Sequence, residues 1–277
     1  MYNDGTGSVR GAVTTVTASA SQGIAELLEG PVQPAESLGD STHTAWFGVG
    51  DDVVVLGDGE AVRQPNSVVI AGAAASDVLA TAGRGARLGG GAIEVGPHRV
   101  SVVRWWDPHP ALDTTAPDVV RLFLSAAATL VPPVDADSLG SALTGGDPAA
   151  IVAEAEQFIG RGPGLTPTGD DLLTGALGAY GLIGEALRDD GPQAVLAATM
   201  PGIEGLLELT VAFSAALLRH AMSGRVSVPV AQVLRALVGR TPLDDAVEAL
   251  LRVGNTSGRA LAQGVLVGAE AACAVAK

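Results

Sequence analysis

The stretch Gly160-Arg161-Gly162-Pro163-Gly164-Leu165-Thr166-Pro167-Thr168-Gly169-Asp170-Asp171, with the apolar run that follows it to residue 187, decides how this chain is read. Four glycines and two prolines in twelve residues specify a loop, because glycine permits positive φ and proline fixes the remaining bends. From Asp170 onward the pattern changes. Leu172, Leu173, Ala176, Leu177, Tyr180 and Ile183 recur at helical spacing, which predicts a helix over residues 170–187. The loop therefore ends where a helix begins.

Toward the carboxyl end the same spacing continues. Helices are expected at 118–130 behind Pro117, at 148–159 behind Asp147, and at 203–222, 229–237, 243–252 and 257–275. Toward the amino end the texture is that of strands. Residues 13–17, 43–49, 52–56, 67–70, 92–95 and 99–105 read as strands. The second and third pair about Gly50-Asp51, and the last two flank Gly96-Pro97. Residues 21–28 and 76–81 read as short helices. The expected fold class is α+β. A β-rich amino-terminal half, residues 1–112, packs on a mainly α-helical carboxyl-terminal half, residues 113–277, that carries the loop. Residues 108–117 form the seam.

Composition bounds the chemistry. The chain has 277 residues, 47% of them hydrophobic but only 3% aromatic, so its core must be built from Ala, Val and Leu. Net charge is −14, and every basic residue except Lys277 is an arginine. That balance argues against nucleic acid and against anionic membrane surfaces as partners. A small anionic substrate stays within reach, since a few arginines and backbone N–H groups suffice locally. Cys273 is the single cysteine, which excludes an intramolecular disulfide and a CxxC metal site; a buried, inert thiol is expected. The first eleven residues carry no basic start followed by an apolar run, and no stretch is apolar enough to span a bilayer. The expectation is a soluble cytoplasmic protein.

Several groups can carry chemistry. The helix after the loop points its first free N–H groups and the positive end of its dipole at the loop, with Thr166 and Thr168 adding hydroxyls and Arg161 a charge. Together they predict an anion cradle. Asp170 and Asp171 have two readings, as capping carboxylates at the helix start or as groups that hold a divalent cation or orient a substrate N–H. Gly254-Asn255-Thr256-Ser257-Gly258-Arg259 reads either as a helix–helix turn or as a second helix amino terminus converging on the first, with Arg259 supplying charge. Thr210 and Ser214, one helical turn apart, put two hydroxyls on one face, where bonding back to a carbonyl competes with function. His220 reads as a C-terminal helix cap, and no GxSxG elbow is present.

Residues 164–175, GLTPTGDDLLTG, resemble the GLTPSGDD-x-L-x-G signature of the AllH-like family. Thr210-x-x-x-Ser214 is similar to that family's T-x-x-S helix, and residues 254–258 to its G-x-[ST]-SG turn. The resemblance runs from about residue 160 to residue 268. It implies a subunit of an oxamate carbamoyltransferase of allantoin or purine catabolism, working with companion protein subunits. The substrates implied are oxamate, oxalurate or a related ureido compound, with carbamoyl phosphate or phosphate. The S-x-R-T and H-P-x-Q sites of ordinary transcarbamoylases are absent. On this reading Arg161, Gly162, Gly164, Leu165, Thr166 and Gly169 bind substrate at the phosphate or carboxylate end, with Thr168 catalytic there. Asp170 or Asp171 orients the acceptor N–H or holds Mg²⁺, and Ser214, Asn255, Thr256 and Ser257 complete the wall. Two other readings stay open: a metal-dependent phosphohydrolase built on Asp170 and Asp171, and a non-catalytic structural subunit.

Overall fold

The computed structural model of the protein describes residues 13–164 and 166–276. The first twelve residues, including the stretch read as lacking a secretory signal, lie outside the described residues, as do Leu165 and Lys277.

Alternation of small or β-branched residues makes the amino-terminal half a closed barrel. Its strands are β1 (Thr14–Ser21), β2 (Gln33–Asp40), β3 (Thr44–Val49), β4 (Asp52–Gly57), β5 (Ser67–Ile70), β6 (Ala86–Gly89), β7 (Ala92–Val95) and β8 (His98–Trp106). Around the ring the order is β1-β5-β4-β3-β2-β6-β7-β8. β1 runs parallel to β8 and β4 parallel to β5, while the remaining neighbours are antiparallel. The expected hairpin about Gly50-Asp51 forms, pairing Val49 with Asp52 and Trp46 with Val55. Val16, Ala18, Ala45, Phe47, Val54, Leu56, Val68, Ile70, Ile93 and Val100 fill the interior. An eight-stranded ring has room for little more than such side chains, so a sequence poor in aromatics suits it. Two short helices, α1 (Ala25–Glu29) and α2 (Ala74–Leu79), lie in the barrel's connections.

The mixed α+β character matches expectation; the closure into a barrel was not read from the sequence. β2 also went unread, since Pro34, Glu36, Gly39 and Asp40 break any strand pattern, yet it pairs with β3 on one side and β6 on the other.

The rest of the chain is helical: α3 (Pro117–Ala127), α4 (Asp137–Gly145), α5 (Pro148–Phe158), α6 (Thr168–Ala186), α7 (Gly191–Glu204), α8 (Ala212–Met222), α9 (Val228–Leu237), α10 (Leu243–Leu251) and α11 (Ser257–Val275). The helix expected over 203–222 forms only as α8; its first two residues end α7, which was otherwise not expected. α7 ends at Glu204, a single 3₁₀ turn covers Leu207–Leu209, and α8 starts at Ala212. Thr210 sits in extended backbone between them, so Thr210 and Ser214 do not share a helix face.

At the centre of the helical half α6 and α11 run in the same direction at backbone contact. A Cβ on Gly175 would stand 2.3 Å from the Leu261 carbonyl oxygen, one on Gly264 2.1 Å from that of Leu172, and one on Gly268 2.0 Å from that of Ala176. No side chain fits at these positions, which accounts for the last glycine of the GLTPTGDDLLTG signature. A parallel crossing also places the two helix starts, Thr168 and Ser257, at the same end.

Two separate apolar cores result, one inside the barrel and one among the helices. Across the seam the Val226 N–H donates to the Pro108 carbonyl at 3.1 Å and the Val228 N–H to that of Arg63 at 3.0 Å. An Arg219 guanidinium N–H reaches the Asp51 carbonyl at 3.1 Å, and the Trp46 and Phe213 rings lie 6.2 Å apart. Among the described residues no helix is long and apolar enough to cross a membrane.

Candidate functional site

The loop 160–167 bends as its composition requires, with Gly160, Gly162 and Gly164 at φ 71°, 107° and 113°. At its helix end, three of the N–H groups that could face a ligand bond within the protein instead. The Gly169 N–H donates to the Arg161 carbonyl at 2.8 Å, and those of Asp170 and Asp171 donate to the Pro167 carbonyl at 3.0 and 3.2 Å. Pro167, at the cap position, has no N–H to offer. Gly169 serves close packing instead: a Cβ there would stand 2.0 Å from the Phe158 carbonyl oxygen.

The two aspartates, adjacent in sequence, face different tasks. Asp170 is 1% exposed. One of its oxygens accepts the Gly160 N–H at 2.7 Å and the other the Thr210 hydroxyl. It ties the entry of the loop to the extended residue before α8. Asp171 accepts the Thr166 hydroxyl at 2.9 Å and a hydrogen bond from Ser257, while the Thr166 and Ser257 hydroxyl oxygens lie 3.0 Å apart. The second helix amino terminus thus does converge on the first. Burial pushes the Asp171 carboxyl up to about 6, against the hydrogen bonds from Ser257 and Thr166 that pull it down; the neighbouring charge of Asp170 adds to the rise. Asp171 therefore changes protonation just below neutral pH.

Among the described residues no cluster of three or more His, Cys, Asp or Glu side chains could hold a metal ion.

Asp171, Thr166 and Ser257 form part of the wall of a cavity of about 290 Å³ at the seam, near the lower end of the range for small-molecule sites. Gly164, Thr174, Asn255, Thr256 and Ser227 contribute polar lining, and Phe213, Leu217, Val226 and Leu261 contribute apolar lining. Arg225, Gln64 and Pro65 line it as well, the last two from the barrel half.

Of the residues singled out from the sequence, Gly164, Thr166, Asp171, Asn255, Thr256 and Ser257 meet at this cavity. Arg161, Gly162, Thr168, Gly169, Asp170 and Ser214 do not line it, and Leu165 lies outside the described residues. Ser214 is buried with a hydroxyl that has no partner among the described residues, so the expected bond back to a carbonyl is not made. The cation at the cavity is Arg225, not Arg161 or Arg259. Arg161 is exposed on the loop, and Arg259 donates to the Pro133 carbonyl at 2.7 Å. His220 is in the last turn of α8, but burial, aided by Arg225, lowers its pKa to about 4. At neutral pH it is uncharged and adds nothing to the helix dipole. Cys273 is buried, and burial raises its thiol pKa, as an inert core cysteine should behave.

Arg225, Gln64 and Pro65 carry no motif. Only the packing of the barrel against α8 and the segment leading into α9 brings them together.

The sequence model of the family described as oxamate carbamoyltransferase subunit AllH matches residues 158–269. No solved structure matches the chain. The matched span runs from the end of α5 into α11 and contains Asp170, Asp171, Thr210, Arg225 and the 254–258 turn, while the barrel lies outside it. The match over residues 158–269 supports the resemblance read from the GLTPTGDDLLTG signature.

Proposed function

We propose that this protein is a carbamoyltransferase subunit whose seam cavity holds an amide acceptor, oxamate or a ureido relative, with Asp171 as the group that takes its proton. One observation carries the reading: a buried carboxyl with a pKa of about 6, held by the Thr166 and Ser257 hydroxyls at the wall of a cavity that also contains a cation. An amide nitrogen is a poor nucleophile, and a positioned base of matched pKa is what it needs. In the forward step the acceptor nitrogen attacks the carbamoyl carbon of carbamoyl phosphate and the new C–N bond forms. The bond from that carbon to the phosphate oxygen breaks, phosphate leaves with the electron pair, and the N–H proton passes to the Asp171 carboxylate. In the reverse direction the protonated Asp171 returns it. The acceptor's own carboxylate is held by Arg225 and by the turn Asn255-Thr256-Ser257 at the start of α11. Companion subunits, implied by the family description, complete the assembly.

The test is carbamoyl transfer to oxamate in the enzyme reconstituted with its companions. Asp171→Asn should lower kcat by about 10²–10³-fold, and the wild-type rate should fall as pH drops through about 6. Stability should move the other way. The folded state holds the Asp171 proton more tightly than the unfolded chain, so its burial penalises the native state as pH rises from about 4 to about 6 and beyond. Asp171→Asn should therefore fold at pH 8 and gain up to about 3 kcal/mol there, each pKa unit being worth about 1.4 kcal/mol. Near-normal turnover with an unaltered pH profile would sink the assignment.

A further inference from the structure

The wall of the cavity that lies outside the matched family span is the turn 63–67, between β4 and β5. Its residues are pinned from several sides. The Arg63 guanidinium lies 5.7 Å from the centre of the Trp106 ring, and the Arg63 carbonyl accepts the Val228 N–H. The Gln64 N–H donates to the Ser67 hydroxyl at 3.0 Å, and that hydroxyl donates back to the Gln64 carbonyl at 2.9 Å. The Asn66 side-chain N–H₂ donates to the Val53 carbonyl at 2.8 Å, while the Asn66 carbonyl accepts the Val55 N–H at 3.0 Å. Pro65 is buried, with its carbonyl against Gly23, where a Cβ would come within 2.3 Å.

What this clamp leaves over is the Gln64 carboxamide. It makes no hydrogen bond among the described residues, and Gln64 lines the same cavity as Asp171 and Arg225. A carboxamide presents a donor and an acceptor side by side. A primary amide or ureido group presents the complementary pair, so the two can bond reciprocally. A carboxylic acid, ionised at neutral pH, offers acceptors only and leaves the Gln64 carbonyl facing an oxygen. Asp171, an acceptor when ionised, favours an N–H over an oxygen too and adds to the same preference, while the remaining polar groups discriminate less. Hydroxyls rotate to suit either ligand, and Arg225 takes the carboxylate that both ligands carry.

We infer that Gln64 is a specificity-determining residue of this cavity, selecting together with Asp171 a ligand with a primary amide or ureido group over the matching carboxylic acid. The inference rests on the amide-acceptor reading above and gives the barrel half a share in substrate choice.

Titration calorimetry on the protein reconstituted with its companion subunits, with oxamate and with oxalate as its all-acid counterpart, tests it. Wild type should prefer oxamate by about tenfold or more, the value of one well-placed polar pair. Gln64→Leu should cut that preference by weakening oxamate about tenfold while leaving oxalate nearly unchanged, the remainder being held by Asp171. The isosteric Gln64→Glu should weaken both ligands and oxalate more, and thermal melting of each variant checks that it folds. If Gln64→Leu keeps the preference while Asp171→Asn loses oxamate, the role of Gln64 falls and the amide-acceptor reading stands. If wild type binds neither ligand, both fall.

Discussion

Two loops reach the seam cavity, and they are built in opposite ways. Residues 160–167 bend through glycines at positive φ, stay exposed from Arg161 to Gly164, and end in the first turn of α6. Residues 63–67 contain no glycine and are held by bonds to β4, to α9 and within the turn itself. The first, with the helix start that follows it, is conspicuous in the sequence, and several of its residues serve structure: Gly169 makes room for Phe158, Asp170 accepts from Gly160 and Thr210, and the Gly169, Asp170 and Asp171 N–H groups bond to the Arg161 and Pro167 carbonyls. The second is inconspicuous, yet it leaves one polar side chain free at the cavity. A motif's density of unusual residues therefore measures how hard its backbone is to build, and only a few of those residues then face a ligand.

The comparison can be broken or sharpened by substitution. The largest effect is expected at the contact beneath both helix starts. Gly264→Val puts a branched side chain where a Cβ alone would stand 2.1 Å from the Leu172 carbonyl oxygen. It should destabilise by about 4 kcal/mol or more, seen as loss of the cooperative transition in chemical denaturation. Next comes Asp170→Ala, which takes a buried acceptor away from the Gly160 N–H and the half-buried Thr210 hydroxyl. It should cost about 3 kcal/mol and lower the melting temperature, while turnover per folded molecule stays within a few-fold of wild type. A loss of turnover with an unchanged melting point would move Asp170 from the frame to the chemistry. The smallest pair of effects separates the two arginines. Arg225→Gln should raise KM for oxamate about tenfold and flatten its salt dependence. Arg161→Gln, on the exposed loop, should change neither in the same assay.

How much of this was legible in the sequence follows from the range of the interactions involved. α11 was readable to the residue and α6 to within two, because an apolar spacing sustained over nineteen residues needs no knowledge of partners. The break at 205–211 was hidden because the apolar residues continue through it, and the reason for the break is tertiary: Thr210 is drawn out of helical geometry, where its hydroxyl meets Asp170. Closure of the barrel depends on β1 pairing with β8, some eighty residues along the chain, and nothing local announces such a pairing. In the site, residues within or next to the glycine-rich motifs were found, Asp171, Thr166 and Ser257 among them. Arg225 and Gln64 were not, since neither lies in a pattern and each depends on the seam to bring it to the cavity.

The backbone contact between α6 and α11 has a consequence for how well the site holds its dimensions. Where helices meet through interleaved side chains, their relative position averages over rotamers and shifts with every methyl group gained or lost. Here carbonyl oxygens abut glycine Cα atoms, so the register of one helix on the other is set by groups with no torsional freedom of their own. The 3.0 Å separation of the Thr166 and Ser257 hydroxyls, ninety-one residues apart in the chain, inherits that accuracy. Repacking the surrounding aliphatic core should change how stable the protein is well before it changes the spacing of those two hydroxyls.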